Sequence, residues 1–145
     1  MATKVFNYAK GRILQAYLAS RTLRVALLMT NTTADTENDG ISFVDEIATL
    51  DEFDGANYVR KELSGGVVTV NDANDRGELD FADVTWTALG AGTRSIAGIL
   101  VFEAPSGTGT GDEASPVGWW LEFPSPKTPD GSDFVLSIND LLRAV

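Results

Sequence analysis

Val67-Val-Thr-Val-Asn-Asp-Ala-Asn-Asp-Arg-Gly-Glu-Leu-Asp-Phe-Ala-Asp-Val-Thr-Trp86 decides the fold class. It opens on a β-branched run, which suits a pleated strand, and passes into Asn71–Gly77, which is rich in Asn, Asp and Gly. Asn and Asp bond their own backbone and tolerate left-handed φ, so Asn74, Asp75 and Gly77 predict a turn between strands. Leu79 and Phe81 then alternate with polar neighbours, and Val84 and Trp86 resume the alternation in the opposite phase. Upstream, Asn57–Leu63 also alternates, and Ser64-Gly65-Gly66 predicts a hairpin turn joining it to Val67–Val70.

Working outward, Arg24–Thr30 and Ser95–Glu103 are short apolar runs of the length expected for buried strands. Val117–Phe123 and Phe134–Ile138 read as further strands, and Ile41–Leu50 as a short helix or irregular strand. The proline-rich stretch 124–131 reads as a turn, 105–116 as an exposed loop tip, and 139–145 as a helical or irregular tail. Phe6, Ala9, Ile13, Leu14, Tyr17 and Leu18 recur at helical spacing, predicting a helix over 6–18, with a strand as the alternative. Gly11 opposes that helix by about 1 kcal/mol relative to Ala. The sum is a mainly β chain: one antiparallel β-sandwich domain over 1–145, jelly-roll-like or Ig-like, with residues 1–20 as a short N-terminal helix or arm.

The 145 residues contain neither His nor Cys. This excludes Ser-His-Asp and Cys-His catalysis, thiolate metal sites and disulfides. Lys+Arg of 11 against Asp+Glu of 21 gives a net charge of −10, a surface that repels nucleic acid and anionic membranes and suits a basic partner. The opening residues are too polar for a signal-peptide core, and no run approaches the roughly 18 apolar residues of a membrane span. No cofactor is expected.

Asp35, Glu37, Asp39 and Glu46 occupy positions one, three, five and twelve around Gly40, the spacing that wraps oxygen ligands around Ca²⁺. Glu37 departs from the preferred Asp/Asn, Ser42 stands where an apolar residue is needed, and the preceding flank reads as strand. A solvated acidic turn is the preferred reading. Asp72–Asp83 mimics the spacing, but Arg76 stands where a ligand oxygen is required. Asp51/Glu52/Asp54 and Asp80/Asp83 resemble glycosidase acid pairs only as far as any acidic surface does. Gly107-Thr-Gly-Thr-Gly lacks the helix and Lys-Ser/Thr of a phosphate cradle. Trp119 and Trp120 fall on opposite faces of a strand, so one should enter the core and the other meet a partner or a sugar.

Several segments together resemble small virion structural proteins of tailed bacteriophages over most of the chain. They are Asn7–Gly11, Leu23–Leu28, Val67–Trp86, Arg94–Phe102 and Gly131–Ile138. That resemblance implies a non-enzymatic capsid decoration (cement) protein. Its partners would be the major capsid protein, other virion subunits and further copies of itself. It would be assembled in the host cytoplasm and sit on the capsid exterior. Phe6, Ile13, Leu14, Tyr17, Trp119, Trp120 and Phe123 are the candidate contacts, with ordinary core as the bland alternative. A tail, collar or fibre-base component is the alternative within the virion. A carbohydrate-binding β-sandwich module using Trp119 or Trp120, and a small Ca²⁺-dependent enzyme, are the alternatives of other classes.

Overall fold

The computed structural model describes residues 4–105, 111–138 and 142–144. Residues 106–110 of the expected loop tip, with most of the Gly-Thr repeat, therefore lie outside the described residues, as do 139–141 of the expected tail. Helix α1 (Asn7–Ala19) is followed by strands β1 (Leu23–Met29), β2 (Lys61–Glu62), β3 (Val67–Asn71), β4 (Arg76–Asp80), β5 (Val84–Trp86), β6 (Ile96–Glu103), β7 (Val117–Lys127), β8 (Phe134–Leu136) and β9 (Leu142–Ala144). The chain is mainly β with a short N-terminal helix, and β1–β2, β1–β6, β3–β4, β4–β9 and β6–β7 all pair antiparallel. The sheets are small and open: β2-β1-β6-β7, β3-β4-β9 and β5-β8. No helix among the described residues is long and apolar enough to cross a membrane.

The residues divide into two compact units, one built from 1–22, 63–84 and 136–145, the other from 23–62 and 85–135. Each unit draws on separated stretches of sequence. No boundary therefore shows as a change of composition along the chain.

In the larger unit β1 pairs with β6 along its whole length, Leu23 opposite Glu103 through Met29 opposite Ile96. Both strands are buried on both faces, which is why they read as continuous apolar runs instead of alternating. On one face Ala26, Leu28, Leu100 and Phe102 form a cluster with Val44 and Ile47, and Trp120 packs against it. The other edge of β1 is occupied twice, by β2 and by the segment at Asp51–Phe53, where the Met29 N–H donates to the Asp51 carbonyl and the Phe53 N–H to the Leu27 carbonyl. Trp86 is fully buried, donates its indole N–H to the Val59 carbonyl at 2.7 Å, and stacks with Tyr58.

In the smaller unit α1 packs on the β3–β4 hairpin. Asn71 caps the turn by accepting the Asn74 N–H, and Asp75 takes the left-handed conformation at φ 53°, as the Asn/Asp-rich sequence predicts. Helix and hairpin approach so closely that a Cβ on Gly77 would lie 3.0 Å from the Gly11 nitrogen, and one on Gly11 would lie 2.8 Å from Val70 Cγ2. Gly11 therefore trades helix propensity for contact with the sheet. Lys10 is buried there and donates to the Asp75 carbonyl at 2.6 Å.

Three expectations are corrected. Asn57–Leu63 does not pair with Val67–Val70; β3 pairs with β4, Val67 opposite Asp80 through Asn71 opposite Arg76. The capped 71–76 turn closes that hairpin, while Lys61–Glu62 goes to β1. The stretch expected as a proline turn continues β7 to Lys127. Pro124 and Pro126 fit there because β7 is an edge strand, where a missing N–H breaks no ladder. Residues 142–144 form β9 beside β4 instead of a helical or irregular tail.

Candidate functional site

A cleft of about 430 Å³ opens in the larger unit, within the range typical of ligand sites. One wall is the acidic segment 34–41, the other is the start of β7, Val117–Trp120, and Ile47 and Leu100 also line it. Local chemistry explains the first wall. Glu37 Oε1 accepts from the Thr33 hydroxyl at 2.6 Å and the Ala48 N–H at 2.8 Å, folding the loop back on itself. These two bonds hold the Glu37 carboxyl below its ordinary pKa, so it stays anionic. Asn38 accepts the Gly40 N–H in an Asx-type turn. Glu46 binds the backbone N–H groups of Ser42 and Phe43, and Phe43 forms a bridge with Pro116, which ties the acidic segment to the entry of β7.

The second wall is shaped by a register shift. Val101 faces Trp119 while Phe102 faces Val117, leaving Gly118 as the extra residue of a bulge. Trp119 and Trp120 are both part-buried, so neither enters the core completely. Gly98 makes room for Trp120: a Cβ there would lie 2.6 Å from the indole Cη2. The Trp120 indole N–H is buried and finds no acceptor among the described residues.

Beside this site, Arg60 joins three segments. Its guanidinium forks onto Glu52, with Nη2 2.7 Å from Oε2, and also onto Asp112, and it lies over the Phe102 ring at 5.1 Å. Tyr58 donates to Glu52 at 2.7 Å and accepts the Leu27 N–H at 3.1 Å. The two carboxylates raise the Arg60 pKa. Arg60 in turn holds Asp112 below the usual carboxylate range, and burial together with Glu52 pushes the Tyr58 phenol up.

The sequence candidates separate accordingly. Glu37 and Asp39 line the cleft with Trp119 and Trp120, whereas Asp35 is exposed outside it and Glu46 serves backbone N–H groups. Among the described residues no group of three acidic side chains is placed to hold a metal ion. The glycosidase-like pairs do structural work. Asp51 pairs with Arg94 at 2.8 Å, Asp54 accepts from the Thr93 N–H and hydroxyl at 2.8 Å each, and Asp83 accepts from Ser137 and Ile138 at 3.2 Å. Phe6, just ahead of α1, and Ile13 within it are exposed at 69% and 60%, Leu14 is core at 4%, and Tyr17 is part-buried with Arg21 over its ring. Phe123 is part-buried on β7. Sequence reasoning missed Arg60, Gly98 and Leu100, whose roles depend on partners distant in the chain.

Comparison of the chain with protein-family models, curated proteins and solved structures finds no match.

Proposed function

We propose that the chain is a structural protein of a tailed-bacteriophage virion. In this reading it is a decoration subunit that binds the outer head surface, contacts neighbouring major capsid subunits and associates with copies of itself. It is assembled in the host cytoplasm and turns over no substrate. The observation that supports it best is an apolar stripe on α1. Ala9, Ile13 and Ala16 recur at steps of four and three residues and all are exposed, with exposed Phe6 just ahead of the helix and Tyr17 beside them. The buried face of the helix, through Lys10, Gly11 and Leu14, is a different one. A helix apolar on a second, solvated face gains from a partner: burying a side chain the size of Phe6 or Ile13 contributes roughly 1.5–3 kcal/mol. The same reading takes the antiparallel sheets as parts of a β-sandwich, jelly-roll-like or Ig-like.

The test is rebinding. Purified protein added to heads stripped of it should bind and raise their melting temperature, and Ile13→Glu should abolish binding while keeping the far-UV spectrum. Failure of the wild-type chain to bind heads ends the proposal. A tail, collar or fibre-base position, using the same stripe, is distinguished by labelling the chain on intact particles.

A further inference from the structure

The cleft between the acidic segment and β7 combines three features. Its charged lining residues are two carboxylates, Glu37 and Asp39, with no Lys or Arg among the lining residues. Ile41, Ile47 and Leu100 supply an apolar lining. Trp119 and Trp120 contribute aromatic rings.

We infer that this cleft receives an arginine or lysine side chain carried on an extended segment of a partner protein. Such a side chain has an apolar stem for the lining and a cationic head for the carboxylates, and its guanidinium or ammonium is attracted to a Trp face. Two carboxylates with no basic residue among the lining, in a chain of net charge −10, favour a basic occupant of the cleft. The inference deepens the virion reading by naming the chemistry of one contact, and it rests on that reading for the identity of the partner.

The experiment titrates the whole protein with acetyl-Leu-Arg-Leu-amide and with the same peptide carrying uncharged citrulline. The readout is the two-dimensional ¹⁵N–¹H spectrum, with the three indole signals assigned through Trp→Phe variants. The arginine peptide should shift the Trp120 indole and Gly118 amide signals, and citrulline should leave them in place. Asp39→Asn, at an exposed position, should weaken binding about two- to fivefold, the range of an exposed ion pair. Glu62→Gln, an equal charge change on exposed β2, should leave affinity unchanged. Equal binding of both peptides overturns the inference, as do equal effects of the two substitutions. A simple-sugar panel that shifts Trp120 while the arginine peptide is silent also overturns it, in favour of a glycan site. Head rebinding separates the two proposals. Wild-type protein that binds the peptide but not heads ends the virion reading alone, whereas wild-type protein that binds heads while the arginine peptide leaves the Trp120 and Gly118 signals in place ends the cleft inference alone.

Discussion

In the larger unit β1 and β6 run side by side with Val25, Leu27, Leu28, Ile96 and Val101 all fully buried, whereas the smaller unit buries a lysine and a glutamate and leaves Phe6, Tyr8, Ile13 and Val67 in solvent. The larger unit buries its two longest apolar strands among its own residues and leaves fewer large apolar side chains in solvent, Phe43, Val59 and Val135. The smaller one buries Leu14, Leu79 and Phe81, brings helix and sheet main chains together at Gly11 and Gly77, and leaves more of its apolar surface in solvent. The difference teaches where a partner has most to add. A surface already closed over by its own chain gains little from binding; a solvated apolar stripe gains the full transfer free energy.

The comparison breaks first at Trp86. Trp86→Ala removes a fully buried ring, its hydrogen bond to Val59 and its contacts with Tyr58 and Phe134, and should cost about 3–5 kcal/mol in denaturant unfolding. A loss under 1 kcal/mol would mean that the larger unit is not the stability-determining one. Next comes Arg60→Met, which strands Glu52 and Asp112 together and should cost about 2–4 kcal/mol, less than a fully buried pair because both carboxylates are partly solvated. It also predicts a pH dependence. The folded pKa of Asp112 lies below its unfolded value of about 3.9, so the pair stabilises at pH above that value, and the contribution is lost as pH falls through the folded pKa. Asp112→Asn should flatten that acid limb, and an unchanged slope would remove Asp112 from the account.

Smaller effects sharpen the contrast. Gly77→Ala pushes a methyl against the backbone of α1 and should cost about 1–3 kcal/mol, with faster amide exchange at Val68 and Leu79 than at Leu27 and Val101. Uniform exchange across both units would contradict the division drawn here. Smallest is Ile13→Ala, expected within about 0.5 kcal/mol of wild type in unfolding yet weaker in head binding. A large stability loss would make Ile13 core instead of contact.

Much of the β framework was legible because burial on both faces leaves an unbroken apolar run, as in Leu23–Met29 and Ile96–Glu103. The helix was legible from the spacing of Phe6, Ile13, Leu14 and Tyr17. The phase change between Phe81 and Val84 marked the break between β4 and β5. The turn at 71–76 was legible in its chemistry, but which strands it joined was not. Local alternation in Asn57–Leu63 looks the same whether its partner is β3 or β1, since pairing is decided by distant residues. Continuation of β7 through two prolines was hidden because edge position is a property of the sheet. The acidic segment and the tryptophan pair were each visible alone. Their meeting in one cleft needed the bridge from Phe43 to Pro116 and the bulge at Gly118, neither of which has a local signature.

Two residues without side chains, Gly11 and Gly77, fix the seat of the N-terminal helix by bringing main chain against main chain. The helix consequently cannot roll about its long axis, and the direction in which Phe6 and Ile13 face is inherited from that seat. A lineage could thus exchange the outward residues for new attachment targets while the mounting stays constant, much as a tool changes its bit and keeps its chuck.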